Sequence, residues 1–179
     1  MFAENLAVVM GAIVVLVALW LIVAVRHFKH LRQELNEQWE LVDEDLRKRY
    51  DLVPNLIETI RKFTNAEESL IEKIIKNRRD VGKVSSKDAE RIMVEYDFTN
   101  DINELINLGK KYANTGLVAD TNFLELRKEI DDLEKNIEDR TNRYNEMVRY
   151  YNNHRNVVFL KPIAVMWRFR AETIFEVEK

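Results

Sequence analysis

The chain of 179 residues carries 28 Lys and Arg against 31 Asp and Glu, a net charge of −3, and contains no cysteine. This balance gives no electrostatic reason to expect a nucleic-acid partner, and disulfides are excluded as a source of stability. Four Gly and two Pro in a chain that is 33% charged exclude a turn-rich β protein and point to an all-α fold.

From Leu6 to Val25 every residue is apolar or Gly. Roughly 20 residues at about 1.5 Å each span roughly 30 Å, the hydrocarbon thickness of a bilayer. The run is apolar all round, unlike the one-sided pattern of a soluble-core helix. A cleaved secretory signal would need a basic leader and a shorter core, yet residues 1–5 contain no Lys or Arg. Arg26, Lys29 and Arg32 follow the run and only Glu4 precedes it. The positive-inside rule therefore predicts a single-pass helix over 6–25, a short N-terminus (1–5) outside or lumenal, and a cytoplasmic C-terminal part. Trp20, near the cytoplasmic end, falls close to headgroup level, so Trp20, Arg26, Lys29 and Arg32 are candidate membrane-interface residues.

Beyond the span, Phe28, Leu31, Leu35, Trp39, Val42, Leu46, Tyr50, Val53, Ile57 and Ile60 recur at steps of three and four. That spacing predicts that the membrane helix continues as one rod, which Pro54 should kink or restart as a second helix. A helix over about 55–79 follows, with Leu56, Phe63, Leu70, Ile71, Ile74 and Ile75 on its buried side. Thr64–Glu67 has capping-box spacing, residues 81–87 read as the first loop, and Ser85–Asp88 supplies the next N-terminal signal. A third helix carries Ile92, Met93, Tyr96, Ile102, Leu105, Ile106, Leu108 and Tyr112 and ends in a loop containing Gly116. Asn122–Glu125 offers a further capping box. In the fourth helix Phe123, Ile130, Ile137, Tyr144 and Tyr151 repeat every seven residues, with Leu126, Leu133, Arg140, Met147 and His154 in the alternate seam. Such a seam packs within an antiparallel bundle or against another chain, and the other amphipathic helices favour the first.

Residues 26–158 are thus predicted to form a cytoplasmic bundle of about four long helices, followed by an amphipathic segment over 159–179. As a helix, this last segment would gather Leu160, Ile163, Ala164, Trp167, Ala171, Ile174 and Phe175 on one face, with Val165 and Phe169 off it. Its Trp167, Arg168 and Arg170 are candidate membrane-interface residues. Packing across the end of the bundle is the equal alternative.

Constellations for chemistry are absent from the sequence. His27 and His30 lack a third ligand type nearby, no Glu-x-x-His pair suggests iron chemistry, and there is no phosphate-binding loop, dinucleotide turn or nucleophile elbow. The reading is of a non-enzyme without cofactor, metal or small-molecule substrate. The densest polar stretch is Arg47–Glu58. It reads as packing and capping, with Asp51 a possible cap, or as a partner surface.

Within it, Arg49–Glu58 (RYDLVPNLIE) resembles the signature of the LemA family of bacterial membrane proteins, and Arg143–Asn152 (RYNEMVRYYN) resembles that family's second element. The likeness extends from the membrane helix to about Asn152. It departs at the C-terminus, where the family's Phe-Pro and later Gly-Phe are replaced by Phe159–Pro162 and Trp167–Phe169. The resemblance implies a single-span protein with a cytoplasmic bundle, without catalytic activity, in the bacterial cell membrane or an intracellular membrane compartment. Family members include a magnetosome membrane protein. Arg49, Tyr50, Asp51, Pro54, Asn55, Arg143, Tyr144, Asn145, Tyr151 and Asn152 become the candidate interaction motif. The expected role is a scaffold that contacts the bilayer, self-associates or recruits a membrane-protein partner, and shapes or organises the membrane. The alternative is an accessory subunit of a membrane protease or signalling enzyme.

Overall fold

In the computed structural model, which describes residues 2–63, 68–81, 84, 89–112 and 116–176, the chain is all-α with no strand among those residues. Helix α1 runs over Phe2–Phe63, α2 over Glu68–Val81, α3 over Ala89–Lys111, α4 over Thr121–Asn156 and α5 over Lys161–Met166. A 3-10 turn, Leu117–Ala119, precedes α4.

Helix α1 is unbroken through Pro54, so the proline does not restart it. The ten apolar residues that mark its period, Phe28 to Ile60, are all buried. Pro54 itself lies on the exposed side. The earlier part of α1 is the reverse: its Val, Leu and Ile side chains from Leu6 to Val23 are largely exposed, and it is long and apolar enough to cross a membrane. The capping-box stretch 64–67 and the helix-start signal 85–88 lie outside the described residues.

The chain divides into two compact units, through both of which α1 and α4 pass. One comprises Met1–Glu37 and Glu146–Glu172. Here Phe28 meets the edge of Tyr151 at 6.2 Å between centroids and stacks on Phe169 at 5.1 Å, while His27 approaches His154 at 5.6 Å. The other comprises Gln38–Asn145 and Thr173–Lys179. In it, Arg61 bonds Glu68 and Arg78 bonds Asp51, so α2 runs antiparallel to α1. Asp43 to Arg91 and Arg49 to Thr99 set α3 parallel to α1. Trp39 against Tyr144 and Asp45 against Arg140 set α4 antiparallel to it. That is an up-down-up-down bundle built on short connections.

Five members of the seven-residue seam of α4, Phe123, Ile130, Leu133, Tyr144 and Tyr151, are buried within the chain, while Leu126, Ile137 and Met147 are half-buried. Its two polar interruptions have local partners. Arg140 donates to the Leu41 carbonyl at 2.8 Å and pairs with Asp45, and His154 lies against Tyr150 and His27. The side chain that caps the start of α4 is Asp120, which accepts the Phe123 N–H at 2.9 Å, two residues ahead of the predicted box. Gly116, at φ 86, supplies the left-handed residue that turns the chain into the 3-10 element.

The amphipathic C-terminal helix is confined to Lys161–Met166, and residues 169–176 form neither helix nor strand. The helix stops in a Schellman motif. The Phe169 N–H reaches the Ala164 carbonyl at 2.9 Å and the Arg168 N–H reaches Val165 at 3.1 Å. Arg168 holds the left-handed conformation, φ 55, that glycine would adopt without cost. The reversal brings Phe169, off the predicted helical face, into the core, and leaves Val165 65% exposed.

Candidate functional site

The first motif is turned inward. Arg49 and Tyr50 follow one another on α1, and both are buried facing the start of α3, where Arg91 and Glu95 are also buried. Arg49 Nη2 donates to Glu95 Oε2 at 2.9 Å and Nη1 to Thr99 Oγ1 at 3.0 Å. The Tyr50 hydroxyl donates to Glu95 Oε1, which also accepts from Arg91 Nε at 2.7 Å. Arg91 continues to Asp43 at 3.0 Å and to the Tyr50 oxygen at 3.1 Å, and donates to the Val84 carbonyl. Two guanidiniums, two carboxylates and a phenol thus form one connected network. The Phe98 ring closes it, with Tyr50 edge-on at 5.2 Å and the Arg49 guanidinium 5.8 Å from its centroid.

Desolvation dominates its electrostatics. Burial pushes the Glu95 carboxyl up to about 7 against the opposing pull of Arg49. Burial likewise lowers Arg49 despite Glu95 and lowers Arg91 despite Asp43. The network neighbours a cavity of about 490 Å³ lined by Arg49, Thr99, Glu134, Thr141, Asn145 and Phe175, among others. Arg49 Nε and Thr141 Oγ1 are buried there without a hydrogen-bond partner among the described residues.

The second motif holds the C-terminal segment. Asn145 Oδ1 accepts the Phe175 N–H at 2.8 Å, while its Nδ2 donates to the Phe175 carbonyl at 2.8 Å. Asn152 repeats the arrangement on Glu172, at 3.1 and 2.8 Å. A primary amide presents a donor and an acceptor side by side, which matches the N–H and C=O of one residue in an extended chain. Tyr144 donates to the Thr173 carbonyl at 3.4 Å, Arg155 donates to that of Phe169 at 2.9 Å, and Phe175 packs on Trp39 at 5.0 Å.

Of the ten candidate motif residues, Arg49, Tyr50, Tyr144, Asn145 and Tyr151 are buried and Asn152 is half-buried. Asp51, Pro54, Asn55 and Arg143 are exposed. Asp51 lies 3.3 Å from Arg78. Of the candidate interface residues, Arg26, Lys29, Arg168 and Arg170 are exposed, as are Trp20 and Trp167 at 44% and 43%. Arg32 lies 3.8 Å from Glu172. His27 and His30 do not converge, since His27 faces His154 and His30 lies beside Glu34. Sequence reasoning missed Arg91, Glu95 and Thr99. The available signal was their spacing with Phe98, Ile102 and Leu105 on one helical face, masked because charged residues ordinarily mark the solvent side.

The fold and the two inward-turned motifs define an all-helical bundle protein with one helix apolar and long enough for a membrane. The chain belongs to the LemA family: the family model matches residues 38–179. The match begins beyond the apolar run and extends through the C-terminal segment, further than the two motifs alone indicated. No curated protein matches the chain.

Proposed function

We propose that the chain is a non-catalytic, single-pass bacterial membrane protein whose bundle, on the cytoplasmic side, acts as a scaffold that recruits membrane-protein partners. The observation that carries this reading is α1 itself. One helix passes from a lipid-type run with exposed apolar side chains to a face filled by the bundle, without a loop between. Lys and Arg after the run support the orientation. Most large apolar members of the α4 seam are buried within the chain, which favours recruitment over self-association through it. Asp51, Asn55 and Arg143, the exposed polar members of the motifs, are the residues through which a partner is met.

Crosslinking in native membranes tests the reading. The expected result is a reproducible set of adducts with other membrane proteins, weakened by Asp51→Ala, Asn55→Ala or Arg143→Ala in variants that retain full helicity. Adducts between copies of this chain alone, or none above the monomer, would overturn it.

A further inference from the structure

We infer that the turn joining α4 to α5, with α5 itself, is a second membrane-contact element that seats in the headgroup region of the same bilayer the anchor crosses. The inference rests on the anchor reading and adds a contact that anchoring does not require.

Three observations carry it. The first is level. On α1 the apolar run ends at Val25, and the first side chains buried against the protein are Ala24 and Phe28. Phe28 meets Tyr151 and His27 meets His154, so α4 approaches the end of the run antiparallel to α1. Residues 157–159 lie about one helical turn, roughly 5 Å, beyond that level on the membrane side. The second is exposure. Val157, Val158, Phe159, Val165, Met166 and Trp167 are 43–77% exposed, although Ile163, Ala164 and Phe169 of the same segment are buried. Val158, Pro162, Val165 and Met166 border an open apolar hollow. A cluster of this kind at the level where a lipid-exposed helix leaves the bilayer has lipid as its natural cover. The third is charge. From Met147 to Ala171 there is no Asp or Glu, while Arg149, Arg155, Lys161, Arg168 and Arg170 are present. Lys161, Arg168 and Arg170 are exposed beside the apolar residues, and Arg26 and Lys29 are exposed at the end of the run. Cations ringing an apolar cluster complement an anionic leaflet.

The docking is fixed from within. The Schellman turn at Arg168 and the stacking of Phe169 on Phe28 hold α5 in place. Val165, Met166 and Trp167 are thereby kept on the side that the core does not use.

The absence of cysteine allows a direct test on the full chain in liposomes of phosphatidylethanolamine and phosphatidylglycerol. Single Val158→Cys, Phe159→Cys and Val165→Cys variants, all at exposed positions, are labelled with a polarity-sensitive fluorophore and challenged with brominated lipids. Val15→Cys reports the anchor, and Met93→Cys, exposed on α3, reports solvent. The expected result is blue-shifted, lipid-quenched emission at 158, 159 and 165 and none at 93. If 158, 159 and 165 match position 93 while 15 is quenched, the seat is refuted and the anchor stands. If 15 is also unquenched, both fail. Blue-shifted emission without quenching at 158, 159 and 165 would mean that protein, not lipid, covers the turn, and would overturn the proposal.

Discussion

Arg49 and Glu95, on parallel helices and both almost solvent-free, meet at 2.9 Å, yet the carboxyl's affinity for a proton is raised rather than lowered. The loss of hydration outweighs the neighbouring guanidinium, as is common for ion pairs taken into a core. Glu95 has an ordinary value of 4.5 and a folded value of about 7. Between these, the folded state binds more protons than the unfolded state, so this group's contribution is fully present below 4.5 and is lost as pH rises through about 7. In thermal unfolding, Glu95→Gln is expected to remove that share of the decline in Tm with rising pH. An unchanged slope would show that Glu95 does not titrate there. Glu95→Ala, which leaves two buried guanidiniums short of a partner, is expected to cost about 3–5 kcal/mol.

Asn145 and Asn152 make matching contacts in different surroundings, Asn145 buried and Asn152 half-buried. Asn145→Ala is expected to destabilise by about 1–3 kcal/mol, and Asn152→Ala by less. Hydrogen exchange provides the local check: the Phe175 amide should lose protection in the first variant and the Glu172 amide in the second. Asn145→Asp keeps the shape and the acceptor but not the donor, so it should fail much as alanine does.

Arg168 occupies the left-handed region at φ 55 with its side chain exposed. Arg168→Gly is expected to stabilise the chain by about 1 kcal/mol by relieving the Cβ conflict. Denaturation in mild detergent measures this directly, and a loss of stability would mean that the side chain makes contacts worth more than the strain.

Gly109, inside α3, has the Phe123 ring against it, and a Cβ built there would stand 2.7 Å from the ring's Cζ. Alanine would favour the helix by about 1 kcal/mol, but forcing the ring aside in a packed core costs about 1–3 kcal/mol. Gly109→Ala is therefore expected to be net destabilising in the same assay. Adding Phe123→Leu should recover part of the loss.

The sequence by itself determined the helices that depend on local chemistry. The apolar run from Leu6 and the steps that follow from Phe28 identify α1 as far as Pro54, because a helical period repeats whatever it packs against, but its unbroken passage through Pro54 to Phe63 came only with the structure. The seven-residue repeat from Phe123 to Tyr151 does the same for α4. What only the tertiary structure decided is which polar residues go inside. Arg91 and Glu95 look like solvent-facing charges until Arg49, Tyr50 and Asp43 are brought to them from residues more than forty positions earlier. The end of α5 was equally illegible, because a left-handed arginine carries none of glycine's signal. The asparagines of the second motif were visible as residues but not as a clasp, since their partners are the backbone N–H and C=O of Glu172 and Phe175. Every residue but proline has both groups, so no side-chain pattern announces which will be held. Only the folded chain brings each asparagine to the residue it holds.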